Sequence, residues 1–394
     1  MAHNSGPQQN YSPWDAPTLP PGQGLNVAPP PLPLTPDTAS LPPGDYPPPA
    51  PPPPRRARTT RQFGRRGRIV RRVLLALLLL ALLGAGLLAH RMWDFGNAIS
   101  NQGPLTTQTR YMSGDGRVNV LVLGYGGGNH PGPNLTDTMM VISLNLSDHA
   151  TTMISVPRDL WVQVPPGSGD YAKLNTAYVN GLDNGFNGIA AGPVAGGAEA
   201  AQKVTEVTGL KIDYWLTINF SGFRALVDAL GGVDVTVQTA FTARYPINDD
   251  PAVNAGWKVI HFDTGMQHMD GERAIEYARA RYVLDPPSEG TDFARSARQQ
   301  TLIRAILSRA RQMSAWPGLS GATDALQQAL YTNLSLADLA LFSRKMDFTH
   351  GHRVGLTDQN VLVDAQSDDG QDILVPANGD WNAVRQYVAS QLAP

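Results

Sequence analysis

The 394-residue sequence contains no cysteine. Disulfide bonds, thiolate metal sites and cysteine nucleophiles are therefore excluded, and the fold has to be stabilised by its apolar core. The two common phosphate-loop patterns, GxGxxG and GxxxxGK followed by Ser or Thr, are also absent. A glycine cluster does occur at residues 124–128, but without those spacings it does not by itself predict a nucleotide-binding loop.

Aliphatic side chains are sparse in residues 1–54, which contain five leucines, one valine and 19 of the 33 prolines. A segment with so little apolar surface cannot form a core, so we predict a disordered, Pro-rich tail that is partly polyproline II. Residues 55–72 then contain nine arginines and no acid. Such a basic run occurs in nucleic-acid binders and also beside membrane spans, and the residues that follow decide between the two.

A long apolar run follows the arginines. Val73–Ala89 is uncharged and almost entirely aliphatic, and the residues up to Trp93 extend it to about the thickness of a bilayer. We predict one transmembrane helix over residues 73–93, with the Arg-rich juxtamembrane segment 55–72 retained in the cytoplasm by its positive charge. The tail would then be cytoplasmic, and residues 94–116 would link this single-pass anchor of the cell membrane to an extracytoplasmic domain.

The charge of the remaining chain argues against nucleic acid as a partner. Residues 1–72 contain nine arginines and three acids and so carry +6, which leaves −8 for the rest of a chain whose total is −2. An acidic domain repels a phosphate backbone. A DNA-binding regulator is therefore the least favoured function, and arginines clustered within this acidic domain have a local purpose.

Apolar strands alternate with helices beyond residue 116, which predicts an α/β sandwich with helices on both faces. The main predicted strands are Arg117–Leu123, Met139–Leu144, Thr152–Val156, Tyr214–Asn219 and Val233–Val237. The main predicted helices start near Lys173, cover Ala198–Thr208 and Phe220–Leu230, and end the chain near Asp380–Leu392. We place a catalytic domain at residues 117–313, completed or capped by C-terminal helices and edge strands at residues 314–394.

The richest arginine cluster lies in Gly271–Gln300. Its EYARAR segment, Glu276–Arg281, predicts a strand on which Arg279 and Arg281 point the same way, followed by a loop at Val283–Gly290. A helix capped by Thr291 or Asp292 should then run to about Met313. On that helix Arg295 and Gln299 share one side, because they are four residues apart.

Guanidinium groups bind phosphate oxygens two at a time, so Arg279, Arg281 and Arg295 predict a pyrophosphate site. The other arginines of the helix are predicted to lie on a solvated face: Arg298, Arg304, Arg309 and Arg311. Arg158 ends a strand, where ligands of α/β proteins collect. Asp137 precedes another strand, and local sequence leaves open whether it is a site residue or a turn cap.

Several strings occur together in the order of a known family: VLVLGYGGG and LTDTMMVISL, then ISVPRDLWV, KLNTAY, FRALVDALGGVDVTV, GERAIEYARARY and DFARSARQQ. On these strings the chain resembles the LytR-CpsA-Psr family of cell-wall glycopolymer ligases, and the match covers roughly residues 118–311. The resemblance implies an α/β/α sandwich around a mixed central sheet with an apolar tunnel for lipid. It also implies a phosphotransferase that moves a glycopolymer from a polyprenyl pyrophosphate onto peptidoglycan.

The resemblance also assigns roles to residues. Arg158, Arg279, Arg281 and Arg295 would hold the phosphates, with Gln299 as a polar partner and Lys173 as a less firmly matched contact. Asp292 would be an acid beside the phosphates, and Asp137 would bind Mg²⁺ or Mn²⁺. Either acid could accept the proton of an attacking hydroxyl. A pyrophosphatase side activity is also expected.

Two positions depart from the family pattern. Gly126 stands where members commonly have an acid, and Leu135 stands where they commonly have an arginine. We hypothesise that the adjoining GGGNH insertion brings His130 into this gap, as a metal ligand or phosphate donor. Two alternatives to the ligase remain. The first is a polyprenyl-pyrophosphate hydrolase, since the same arginines would serve with water as the acceptor. The second is a non-catalytic lipid-pyrophosphate binder that regulates the envelope, which is favoured if these departures have abolished activation by a metal.

Overall fold

The computed structural model describes residues 65–99, 116–128, 132–249, 256–312 and 322–392. The predicted Pro-rich tail, residues 55–64 of the Arg-rich segment, most of the predicted linker and His130 lie outside these described residues. The described helices are α1 Arg65–Ile99, α2 Thr176–Asn184, α3 Pro193–Thr208, α4 Phe220–Ala229, α5 Gly271–Arg279, α6 Asp292–Ala310, α7 Thr323–Gln327, α8 Leu336–Lys345 and α9 Trp381–Leu392.

The described strands follow the same alternating order. They are β1 Arg117–Tyr125, β2 Thr136–Asn145, β3 Thr151–Ser155, β4 Trp161–Gln163, β5 Tyr171–Lys173, β6 Tyr214–Asn219, β7 Val233–Val237, β8 Phe241–Pro246, β9 Trp257–Phe262, β10 Gly265–Met269, β11 Tyr282–Asp285, β12 Leu330–Thr332, β13 Arg353–Gly355, β14 Leu362–Gln366 and β15 Asp372–Pro376. Strands β6 and β7 have the predicted bounds.

Helix α1 contains the predicted membrane span. Its segment Ile69–Asp94 contains an 18-residue stretch with a mean hydropathy of 2.5 and is long and apolar enough to cross a bilayer. The aliphatic side chains of this segment are exposed, which is the state that a surrounding lipid phase stabilises. Helix α1 begins within the Arg-rich segment, at Arg65.

Six strands form the central sheet in the order β12-β6-β1-β2-β3-β13. The sheet is mixed: β1 and β6 are parallel, as are β3 and β13, whereas β2 runs antiparallel to both of its neighbours. Consequently the ends of β1, β3 and β6 meet the start of β2 at one edge. This edge gathers residues from four separate stretches of the sequence.

Apolar side chains pack on both faces of the sheet, because its central strands are buried on both sides. One face carries α2, α3 and α9, with Leu121, Val204 and Val384 in its core. The other face carries α6 and α8, with Val120 and Phe342 among its buried residues. The predicted α/β/α sandwich around a mixed sheet is therefore confirmed.

A smaller core adjoins the second face. It is built from α4, α5, the middle of α6 and the small sheets β7–β10 and β8–β9–β11. Phe241, Phe262 and Tyr277 meet there with ring centroids 5.0–6.0 Å apart. This core supports the arginine-bearing segment between α5 and α6.

The strand predicted at Glu276–Arg281 is wrong, because these residues complete helix α5 up to Arg279. The Asp270 side chain accepts a hydrogen bond from the Arg273 backbone N–H and caps the helix, and Glu, Ala and Arg all have high helix propensity. The alternation of EYARAR resembles a strand, but the burial of Ala274, Tyr277 and Ala278 follows a helical face.

Three other boundaries also differ. The loop predicted at Val283–Gly290 contains β11 and a 3₁₀ helix at Pro287–Gly290, because β11 pairs with β8 through residues before the prolines. Lys173 ends strand β5 instead of starting a helix. The sequence of Asp324–Tyr331 also predicts a single helix, but α7 ends at Gln327, and Leu330–Thr332 pairs with β6 as an edge strand.

The packing of α3 on the sheet depends on a glycine. A Cβ added to Gly197 would overlap the ring of Trp215 on β6. Gly197→Ala should therefore lower the free energy of unfolding by about 1–3 kcal/mol through overpacking, although alanine raises helix propensity by about 1 kcal/mol. Thermal unfolding measures the change. Gly355→Ala is the control, since its Cβ would meet only ordinary contacts, and a stabilised Gly197→Ala protein would contradict the packing.

Candidate active site

The predicted site residues collect at the sheet edge where β1, β3 and β6 end and β2 begins. Asp137 is the second residue of β2, and Arg158 follows the end of β3. Arg158 donates a hydrogen bond from Nη1 to Oδ1 of Asp137. Asp137 is therefore a partner of a site arginine and does not act as a turn cap.

The contact between Arg158 and Asp137 continues to Lys173. The Arg158 Nε lies 3.3 Å from Oδ2 of Asp159, whose Oδ1 accepts a hydrogen bond of 2.9 Å from Lys173 Nζ. Partial burial by itself lowers the pKa of Arg158, but Asp137 and Asp159 outweigh it, so the pKa is raised. Arg158 is thus a fixed cation between two carboxylates, and Lys173 extends the positive charge.

Arg279 lies at the last turn of α5 and is held on several sides. Its Nη1 donates to the Tyr245 hydroxyl and its Nη2 to the backbone carbonyl of Asp249, both at 2.9 Å. The guanidinium carbon also lies 3.9 Å from the centre of the Phe220 ring, which favours a cation over its face. These contacts fix Arg279 in one position.

Arg281 and Arg295 lie within electrostatic range of the other site cations. Loss of hydration, followed by the positive charges of Arg158 and Arg279, lowers the pKa of Arg281. Loss of hydration, followed by repulsion from Arg281, lowers the pKa of Arg295 to about 10. Arg281 makes no hydrogen bond or ion pair with any residue in the described ranges. The cluster is therefore short of negative charge, which an anionic ligand would supply.

Asp292 and Gln299 border the arginines from helix α6. Asp292 pairs with Arg295, but its side chain is 82% exposed, so solvent or a substrate can reach it. Gln299 lies one turn beyond Arg295 and lines a cavity together with Arg279. The four predicted arginines and both predicted acids therefore meet in one place, with Lys173 and Gln299 at its margins.

Arg298 is not on a solvated helix face, so that prediction is wrong. Its side chain is 3% exposed and donates hydrogen bonds to the carbonyls of Tyr277, Ala280 and Glu289. A buried charge requires such partners. Arg298 thereby holds the backbone on both sides of Arg279 and Arg281. Its sequence position, three residues after Arg295, contained no signal for this role, because the acceptors are carbonyls of a distant turn.

An apolar cavity opens behind the arginines, between the central sheet and helices α4, α5, α6 and α8. Its volume is about 260 Å³. Thr138, Asn219, Arg279 and Gln299 lie in its lining, and Met92 of α1 contributes to it as well. Most of the lining is aliphatic or aromatic, with Val120, Val122, Leu226, Ile303, Ile306 and Phe342 among its residues.

The described protein side chains at the cluster offer too few ligands to hold a metal ion by themselves, so a metal would bind there only together with substrate. No group of three or more His, Asp or Glu residues that could hold a metal occurs in the described ranges. Within those ranges, only Oδ1 of Asp137 has a partner, so Oδ2 has a lone pair to offer. Mg²⁺ commonly binds through one or two carboxylates, substrate phosphates and water. Asp137 satisfies the protein share of such a site.

These features define an α/β protein whose cationic cluster adjoins an apolar cavity. The chain matches the LytR_cpsA_psr family over residues 93–387. Because this match covers well over half of the sequence, the protein belongs to the LytR_cpsA_psr family.

Two relatives are similar to this chain in sequence, and one solved structure is similar to it in fold. The polyisoprenyl-teichoic acid–peptidoglycan teichoic acid transferase TagU of Bacillus mycoides is 28% identical over 200 residues, which are 51% of this chain and 55% of the relative. TagU of Enterococcus faecalis is 28% identical over 68% of this chain and 78% of its own length. The crystal structure of B. subtilis TagV has the same fold, with a TM-score of 0.51, 21% identity and coverage of 71% of this chain and 98% of TagV. The chain spans little more than half the length of the B. mycoides relative.

Arg295 should destabilise the ligand-free fold. Its folded pKa of about 10 lies below that of a free guanidinium, so its unfavourable contribution is fully present below pH 10 and disappears as the pH rises further. At neutral pH, Arg295→Gln should raise the free energy of unfolding by about 1–2 kcal/mol.

Pyrophosphate should reverse this order of stability. At 100 times its dissociation constant it should stabilise the wild type by about 2.7 kcal/mol, and the Arg295→Gln variant by much less. Thermal unfolding with and without pyrophosphate measures both effects. Arg344→Gln, at an exposed arginine of α8, is the control. A ligand-free Arg295→Gln protein less stable than the wild type would contradict the charge repulsion.

Proposed function

We propose that this protein is a membrane-anchored phosphotransferase that moves a glycopolymer from a polyprenyl pyrophosphate onto peptidoglycan. The observation that carries the proposal is the position of the arginine cluster at the polar margin of an apolar cavity. A polyprenyl pyrophosphate has the same two parts, an apolar chain and a highly charged head. The transferase activity in the names of the relatives agrees with this chemistry.

The cavity would hold the lipid next to the head group. Aliphatic side chains of α4 and α6 would contact the polyprenyl chain, and each buried CH₂ contributes about 0.8 kcal/mol to binding. Arg279 and Gln299, which lie in the same lining, would then meet the phosphate nearest to the lipid. Burial of the chain would thus position the pyrophosphate on the arginines.

The arginines would stabilise the charge that develops during transfer. A hydroxyl oxygen of the acceptor attacks the phosphorus that bears the glycan, and the bond from this phosphorus to the bridging oxygen breaks. The polyprenyl phosphate leaves, and the glycan is joined to peptidoglycan by a phosphodiester. Arg158, Arg281 and Arg295 are fixed or poorly hydrated cations that would bind the phosphate oxygens throughout this step.

We assign the proton of the attacking hydroxyl to Asp292, since its exposed carboxylate is open to an incoming acceptor.

We further propose that Asp137 holds Mg²⁺ or Mn²⁺ together with pyrophosphate oxygens. The metal would supply additional neutralisation of phosphate charge. His130, which lies outside the described residues, stays a candidate second ligand. Equal Mg²⁺ affinity of the wild type and His130→Ala would remove it from the site.

The membrane topology is also part of the proposal. The arginines before α1 would keep the N-terminus in the cytoplasm, and the single apolar span would place the α/β domain outside the cell membrane. Peptidoglycan lies on that side. The active site would therefore face both its lipid-linked donor and its acceptor.

The phosphotransfer is tested with full-length protein in lipid nanodiscs, a short polyprenyl-pyrophosphoryl sugar and Mg²⁺. Arg279→Ala and Arg281→Ala should each lower the rate at least about 100-fold, because one fixed charge that stabilises the transition state is lost. Chromatography of the products separates transfer to a peptidoglycan fragment from release by water. Arg344→Ala should retain activity.

The products also decide between the alternatives. Transfer supports the ligase, whereas release without transfer, in the presence of the acceptor, identifies a hydrolase. Tight binding of the lipid without turnover by the wild type would replace both with a binding protein. Release as a minor product beside transfer would be the expected pyrophosphatase side activity.

The cavity is tested by filling it. Ile303→Phe, on α6, should weaken binding of a long polyprenyl pyrophosphate at least about tenfold by excluding several methylene groups. Binding of geranyl pyrophosphate, whose chain is short, should change less. Ser308→Phe adds the same bulk at an exposed position of α6 and serves as the control. Equal loss for both chain lengths would argue against a lipid in this cavity.

A further inference from the structure

The hairpin of β4 and β5 presents a flat face of aromatic and polar side chains beside the active site. Trp161 pairs with Lys173 across the two strands, and Gln163 pairs with Tyr171. Val162, which lies between Trp161 and Gln163, is buried in the core. Because side chains alternate along a strand, these four residues share the opposite, outer face.

The two aromatic rings on this outer face are arranged as a platform. The centroids of Trp161 and Tyr171 are 6.5 Å apart, and the ring planes differ by only 24°. Tyr171 is 54% exposed, so its ring is not needed to fill the core. Gln163 Nε2 donates a hydrogen bond of 3.3 Å to the Tyr171 hydroxyl. Aromatic rings with amide and amine groups beside them suit a sugar, whose C–H faces stack on rings while its hydroxyls form hydrogen bonds.

The platform is continuous with the arginine cluster. Lys173 lies on the same face as the aromatic pair and contacts Asp159, which contacts Arg158. Arg279 of the cluster lines the apolar cavity, whereas Arg158 and Lys173 do not. The order along the site is therefore cavity, arginines and hairpin face. A lipid-linked glycan has the matching order of apolar chain, pyrophosphate and sugar.

We propose that the outer face of the β4–β5 hairpin binds the first sugars of the lipid-linked donor. This inference rests on the proposed function and adds a sugar-binding subsite to it. Trp161 and Tyr171 would stack on the sugar rings, while Gln163 and Lys173 would bind hydroxyl oxygens. The hairpin would thus contribute to the choice of glycopolymer without contacting the lipid.

Binding of two donor lipids tests the subsite without requiring turnover. Full-length protein in nanodiscs is titrated with a polyprenyl pyrophosphate and with the same lipid carrying a disaccharide. In Trp161→Ala and Tyr171→Ala, affinity for the sugar-bearing lipid should fall about tenfold, as expected for loss of one aromatic contact. Affinity for the bare lipid should stay the same. Tyr171→Phe keeps the ring and should retain most of the affinity.

Trp257→Ala is the matched control, because Trp257 forms another aromatic pair, with Tyr282 on the β8–β9–β11 sheet. Equal loss for both lipids in the hairpin variants would overturn the inference and assign these rings a structural role. Unchanged donor affinity with weaker binding of a peptidoglycan fragment would overturn it in favour of an acceptor surface. If the wild type binds the bare and sugar-bearing lipids equally, the subsite is wrong while the proposed function stands. If it binds neither lipid, the proposed function itself fails.

Discussion

Repulsion between like charges at one edge of the central sheet is the constraint around which this protein is built. Arg158, Arg281 and Arg295 are close enough to act on one another, and the pKa values of Arg281 and Arg295 are lowered. Without the constraint of the fold, the guanidinium groups would separate and be hydrated. The fold therefore has to hold them together in a state that is unfavourable until an anion binds.

Two devices accomplish this. The mixed sheet places the ends of three strands beside the start of β2, so Asp137 and Arg158 are set on a rigid frame. Arg298 stabilises the turn after α5, because its buried guanidinium donates hydrogen bonds to the carbonyls of Tyr277 and Ala280. Arg298, which lies outside the cluster, thus positions Arg279 and Arg281 within it.

The apolar cavity and the cationic cluster share Arg279, and this shared residue gives the site its direction. A ligand with an apolar chain and an anionic head fits in one orientation only, because reversing it would place charge among aliphatic side chains. Poorly hydrated cations and an open apolar cavity both lower the free energy of unfolding of the ligand-free protein, although the same features would bind the ligand. A bound lipid would fill the cavity with its apolar chain and neutralise the arginines with its anionic head, so it would offset both losses of stability.

The sequence by itself determined the α/β/α class and the apolar span, because these depend on local periodicity and composition. Strands β6 and β7 and the caps at Asp270 and Thr291 follow from neighbouring residues alone. Tertiary structure decided that Glu276–Arg279 is helical and that Arg298 is buried. The acceptors of Arg298 are carbonyls elsewhere in the fold, which no local pattern encodes. For Glu276–Arg279 the local signals conflict, because the Asp270 cap and the helix propensity favour a helix while the alternation of EYARAR favours a strand. Packing against the core decides between them.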